Sequence, residues 1–277
     1  MLWRHLGVAV LALHVFLSCS GLGLTQSDEP EALNRQAELL YQAGRYAEAI
    51  PVAQNALALA ERLNGPDHPA VGTGVNYLAE LYRAQGSYAE AEPLLKRALA
   101  IWETALGPDH PDVGSTLNNL AALYQALGRT AEAEPLHRRA LAIREKALGP
   151  DHPDVGSSLN NLGLLYQGQN RYADAEPLLK RALAIREQAL GPDHTDVGTS
   201  LNNLAGLYHD QGRTAEAEPL LKRTLAIWEK TLGPDHPDVA TSLDNLDLVY
   251  RALGRAPEAE PLSKRALAIR KKAAAQR

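Results

Sequence analysis

The chain has 277 residues, a formal net charge of −5 and 45% hydrophobic residues, but only 5% aromatics. This is enough apolar material for a core, and its small, aliphatic character favours close helix–helix packing over a sheet sandwich. The mild acidity excludes the basic face of a nucleic-acid-binding protein, and the single cysteine, Cys19, excludes an intramolecular disulfide.

The first predicted element is a leader. Residues 1–7 carry Arg4, residues 8–18 are apolar except for His14, and small residues follow. That order is the order of a secretory signal peptide, assigned to 1–23, with a linker at 24–29. At about ten residues the apolar run is too short to span a bilayer. "FLSC" at 16–19 resembles the lipid-attachment box of bacterial lipoproteins, with Phe16 where leucine is usual. Two routes stay open: acylation of Cys19, or ordinary cleavage after Ser20 or Gly23. Both predict an extracytoplasmic protein, in the periplasm or cell envelope if bacterial, which meets a membrane only through a lipid anchor.

From residue 30 onward the punctuation recurs every 42 residues: Gly65, Gly107, Gly149, Gly191 and Gly233, and Tyr82, Tyr124, Tyr166, Tyr208 and Tyr250. Pro51, Pro93, Pro135, Pro177, Pro219 and Pro261 keep the same period. A further series runs Gly44, Gly86, Gly128, Asn170, Gly212 and Gly254. Asn is the other residue that tolerates a left-handed helix end. The period divides 30–277 into six repeats: 30–64, 65–106, 107–148, 149–190, 191–232 and 233–277.

Each repeat predicts two helices. In 111–127, Val113, Leu117, Leu120, Ala121, Tyr124 and Leu127 share a face at helical spacing, and Gly128 ends the helix. In 130–148, Ala133, Leu136, Ala140, Leu141, Ile143, Ala147 and Leu148 do the same, with Thr130 the expected N-cap. Pro135 near the start of the second helix predicts a bend or an irregular first turn. Glu134 precedes Arg138 by one turn, as Glu92 precedes Lys96, an orientation that supports an exposed helix face. Ala49, Ala91, Ala133, Ala175, Ala217 and Ala259 mark close approach of the two helices, as do Ala79, Ala121, Gly163 and Ala205. Asp247 breaks the second series, so the last repeat is expected to be looser or to expose this face.

"GPDHPDV" at 107–113 recurs with the repeat. It reads as a metal or acid/base site built on His110 with Asp109 and Asp112, or as a joint. In the joint reading Gly107 is a left-handed cap and Pro108 stops the helix. Asp109 or His110 caps the next helix, Pro111 suits its first turn, and Asp112 faces its positive end. Copies about 10 Å apart, the spacing of packed helices, do not converge on one ion with ligands at about 2 Å. The joint is the expectation, with no metal, cofactor or catalytic residue. The sequence carries no phosphate-binding glycine loop, nucleophile elbow, cysteine–histidine pair or metalloprotease motif.

Leu117, Leu120, Ala121 (Gly163 in the next copy), Tyr124, Gly128, Ala133 and Ala140 resemble the tetratricopeptide repeat pattern. The 42-residue length, "LGPDHPDV" and "LNNLA" are similar to the long variant found in kinesin light chains and their bacterial relatives. The resemblance covers 31–272. It implies an all-α, right-handed superhelical solenoid of helical hairpins whose first helices line a concave groove. It further implies a non-enzymatic protein–protein interaction scaffold that takes an extended segment of a partner protein or peptide. The alternative is a structural array that self-associates through its last repeat.

By the same resemblance, Asn34, Asn76, Asn118, Asn160, Asn202 and Asp244 face the groove, where an amide offers donor and acceptor to a peptide backbone. Helix capping, or hydrogen bonds within a repeat that fix the superhelix, is the rival role, stronger for the adjacent Asn119, Asn161, Asn203 and Asn245. One turn on lie Arg83, Gln125, Gln167, His209 and Arg251; between the two sit Glu80, Ala122, Leu164, Gly206 and Leu248. These differ between repeats, as specificity positions would. His137 reads as a tolerated substitution on a core face, and pairs such as Arg138-Arg139 and Lys222-Arg223 as a solvated outer face.

Overall fold

The computed structural model describes residues 30–275; the leader, the linker and Cys19 lie outside the described residues. Twelve helices and no strand form among them. They are α1 (Pro30–Gln42), α2 (Tyr46–Asn64), α3 (Pro69–Gln85), α4 (Tyr88–Leu106), α5 (Pro111–Ala126) and α6 (Thr130–Leu148). The second half holds α7 (Pro153–Gly168), α8 (Tyr172–Leu190), α9 (Thr195–Asp210), α10 (Thr214–Leu232), α11 (Pro237–Ala252) and α12 (Ala256–Ala275). The chain divides into two compact units, 30–150 with α1–α6 and 151–275 with α7–α12. Within each, every helix packs on the next in sequence, and each odd–even pair is one hairpin.

Small side chains allow the hairpins to close. Ala49, Ala91, Ala133, Ala175, Ala217 and Ala259 have no exposed surface, nor do Ala79, Ala121 and Ala205. At Gly163 an added Cβ would lie 2.8 Å from Leu179, so that hairpin closes more tightly still. Asp247 stays at its close-packing position; its side chain is 15% exposed and pairs with Arg251 at 2.8 Å. Along α5 the predicted face is buried from Val113 to Tyr124, whereas Leu127 is the cap residue and is 41% exposed. On α6, Ala133, Ala140 and Ile143 are buried and Ala147 is exposed.

The turn inside each repeat is a Schellman closure. In the third, Arg129 N–H donates to Tyr124 C=O at 2.8 Å and Gly128 N–H to Gln125 C=O at 3.0 Å. Asn170 replaces glycine there at φ 59°. The N-cap of α6 is Arg129, not Thr130, and it makes no side-chain cap bond. Each proline is the sixth residue of its second helix, and the helix continues unbroken through it. So early in the helix it forfeits one backbone bond without ending the run.

The joint between repeats departs from expectation in one respect. Gly107 sits at φ 89°, ψ 159°, an extended mirror-image conformation that is essentially glycine-only, rather than the left-handed helical one. His68, His110, His152, His194 and His236 are the caps. Each Nδ1 accepts the N–H of the residue two further on, at 3.2–3.3 Å. The first aspartate of the motif turns outward: Asp193 pairs with Lys230 at 2.6 Å, and Asp109 pairs with Lys146.

Candidate peptide-binding surface

First helices lie side by side in each unit, α3 against α5 and α7 against α9. The first asparagine series stands on these helices, and most of it is covered. Asn118, Asn160 and Asn202 are 5%, 5% and 4% exposed, while Asn34 and Asn76 are half-buried. The second series bonds to the first across neighbouring repeats. Asn119 donates to Asn76 at 3.3 Å, Asn203 to Asn160 at 2.9 Å and Asn245 to Asn202 at 2.8 Å. Within each unit the two series thus bond to one another and tie hairpin to hairpin. This leaves Asn118, Asn160 and Asn202 little surface to offer a peptide, because their amides already serve buried partners. Asp244 is half-buried and pairs with Arg270.

One turn on, accessibility returns. Arg83 and Gln125 are half-buried, as is His209, and Arg251 is exposed. Arg83 pairs at 2.6 Å with Glu80, which is 2% exposed. Gln167 is the covered exception, donating to Asp210 at 2.7 Å. Of the residues between, Ala122 and Leu164 are half-buried and Leu248 is 40% exposed, whereas Gly206 is buried.

His137 is wholly buried, and its ring nitrogens lie 2.8 Å from Asn118 Oδ1 and 2.9 Å from Gln125 Oε1. It is a wired substitution rather than a merely tolerated one. Burial, reinforced by the nearby Arg144 guanidinium, lowers its pKa to about 4.

Sequence reasoning missed a clasp at the turns of the third, fifth and sixth repeats. The Arg129 guanidinium stacks over Tyr124, 4.0 Å from the ring centroid, and bonds Glu132 through Nε and Nη2. Its Nη1 reaches Glu92 of the preceding repeat at 2.7 Å. Glu92 also holds Lys96 and the Tyr124 hydroxyl, and these donors, Lys96 first, lower its pKa to about 2. Arg213 with Glu176 and Arg255 with Glu218 repeat the arrangement. The other member of each basic pair also bridges repeats: Arg139 reaches Glu103 at 2.6 Å and Arg223 reaches Glu187 at 2.5 Å. The expected solvated face is therefore partly a seam of ion pairs. The recurrence of Glu and Arg at the 42-residue period was the available signal.

No group of histidine, cysteine, aspartate or glutamate among the described residues could hold a metal ion, and no described helix is long and apolar enough to cross a membrane.

The tetratricopeptide repeat profile matches residues 28–74, 73–146, 112–188, 169–225 and 196–272. The chain belongs to the tetratricopeptide repeat family, whose members are generally protein–protein interaction scaffolds and typically non-enzymatic. Its structure is similar to nearly identical TPR-like repeats of the kinesin-light-chain type from Podosopora anserina. That match has 33% identity and a TM-score of 0.62, covering 74% of this chain and 98% of that one. It is also similar to BtubC (BKLC) from P. vanneervenii, at 26% identity and TM-score 0.66, over 87% and 92% of the two chains. PilW, a type IV pilus biogenesis factor, shares the fold at 21% identity and TM-score 0.60, over 86% and 91%. No curated protein matches the sequence.

Proposed function

We propose that the protein is a non-enzymatic scaffold that holds an extended segment of another protein against its first helices. One observation carries this reading. On those helices Asn118, Asn160 and Asn202 are buried and bonded within the scaffold, while most of the positions that differ between repeats stay accessible. Arg83, Gln125, His209 and Arg251 would set polar preference, and Ala122, Leu164 and Leu248 would supply apolar contact. Asn34, Asn76 and Asp244, the half-buried rungs, remain within the proposed surface.

The test is capture from an envelope extract by the wild-type chain and by a Leu164→Ser/Leu248→Ser double variant, with retained proteins identified by mass spectrometry. Loss of the retained protein by tenfold or more, with an unchanged helical melting curve, supports the reading. Equal capture by both overturns it. We further propose that the protein acts outside the cytosol, on the strength of the leader at 1–23. The intact mass of protein purified from the envelope separates acylated Cys19 from cleavage after Ser20 or Gly23. An uncleaved cytosolic chain would overturn this second proposal.

A further inference from the structure

We propose that the first and last repeats are the two halves of one repeat-to-repeat interface, and that copies of this chain stack head to tail through them. The argument rests on bonds that the third, fifth and sixth repeats complete with the repeat before them and that the two ends leave half made; the junction of the first and second repeats, with Ile50 and Ser87 at these positions, has no such clasp.

In three clasps the turn arginine uses Nε and Nη2 on a glutamate of its own repeat and sends Nη1 back to the preceding repeat. Arg129, Arg213 and Arg255 all do so, meeting Oε2 of Glu92, Glu176 and Glu218 at 2.6–2.7 Å. Oε1 of those glutamates holds the lysine one turn on, at 2.6–2.7 Å. Arg45 occupies the arginine position in the first repeat. Its Nε and Nη2 bond Glu48 at 2.7 and 2.6 Å, and its Nη1 meets no acceptor among the described residues. Glu260 occupies the glutamate position in the last repeat. Its Oε1 holds Lys264 at 2.6 Å, and its Oε2 receives no arginine among the described residues. The glutamate side chain is 64% exposed, against 17–21% in the completed clasps. One half-clasp carries an unused donor and the other an unused acceptor, and each already makes the bonds of its own repeat.

The asparagine ladder ends in the same complementary way. The donor position held by Asn119, Asn203 and Asn245 is Arg35 in the first repeat, and the acceptor position held by Asn76, Asn160 and Asn202 is Asp244 in the last. An amide–amide bond inside the array becomes a positive group at one end and, at the other, a carboxylate that pairs with Arg270 of its own repeat and would exchange that partner on stacking. The apolar surface agrees. Leu39 is 69% exposed, whereas Leu81, Leu123, Leu207 and Val249 at its position are fully buried. Leu267 is 53% exposed, whereas Leu57 is 8% exposed and Leu99 and Leu225 pack on the core. Charge and apolar surface thus commit each end to the other, and a second copy of this chain carries both. Because the two patches differ, the contact is heterologous and propagates rather than closing as a two-fold dimer.

The experiment is sedimentation velocity of the full chain over a wide concentration range. Two variants are compared, Leu39→Asp, which blocks one end, and Leu267→Asp, which blocks the other; both side chains are exposed, so folding is spared. The wild type is expected to grow in mass with concentration. Each variant alone is expected to stay monomeric, and an equimolar mixture to form a dimer that grows no further. A wild type that stays monomeric throughout, association that survives either substitution, or a mixture that remains monomeric would each overturn the proposal.

Discussion

His137 occupies a position held by leucine in three other repeats, Leu95, Leu179 and Leu221, and all four side chains are fully buried. An imidazole there must stay neutral, since charging it would place a cation beside Arg144 away from water. Its pKa falls from the ordinary 6.5 to about 4 on folding. Between those values the unfolded chain binds the extra proton and the folded chain does not, so stability falls as pH drops through that window. The shift corresponds to about 3 kcal/mol. The expected outcome is a urea midpoint that declines from pH 7 to pH 4.5, and a His137→Leu variant that declines markedly less. Equal slopes for the two proteins would show that the burial of His137 is not what sets the acid sensitivity. The same residue marks a limit of the sequence. Its position on a core face was legible from the 42-residue register; its wiring to Asn118 and Gln125 was not, because it depends on two side chains of the preceding helix converging on one ring.

At the scale of the helix and its ends, the residues that could be placed from sequence were those with a backbone reason. Gly128 and Asn170 mark a left-handed closure, and the permitted exchange of Gly for Asn showed which conformation it was. Gly107 and its counterparts were assigned the same conformation wrongly, although glycine is invariant there within the chain; their ψ near 159° is closed even to Asn. The asparagine ladder was legible as a period and illegible as a function, since a donor on one helix and an acceptor on the next become partners only once the hairpins stack. That stacking makes a prediction. Asn203→Ala removes the donor to Asn160, which is buried, and should cost about 1–3 kcal/mol, the penalty of a covered polar group left unsatisfied. The Asn160→Ala/Asn203→Ala double variant should cost less than the sum of the singles, because each single strands the other's partner. Strict additivity in denaturant midpoints would mean that the two amides do not act together. Substituting ladder asparagines is consequently a stability experiment and a poor probe of peptide binding.

For the molecule as a whole, stability in a repeat array is a sum over hairpins and the interfaces between neighbours, so an element with a neighbour on one side only is held less firmly. The buried residues show the gradient directly. In α1 only Ala37 is buried, and in α12 only Ala259, Ala266 and Ile269. In α9, by contrast, burial runs unbroken from Val197 to Tyr208. Helices with so little covered apolar surface open locally at low free-energy cost, whereas α9 opens only with its surroundings. At dilute concentration, amide hydrogen exchange should therefore be fastest in α1 and α12 and slowest in α9, with α3 and α5 protected above α1. The side-chain bonds sharpen the expectation. Arg129, Arg213 and Arg255 bind both their own repeat and the one before, whereas Arg45 binds only its own, so the turn after α1 lacks the brace that the turn after α5 has. Uniform protection from α1 to α12 would show that the array unfolds as one cooperative body, and that the half-made bonds at its ends carry no energetic consequence.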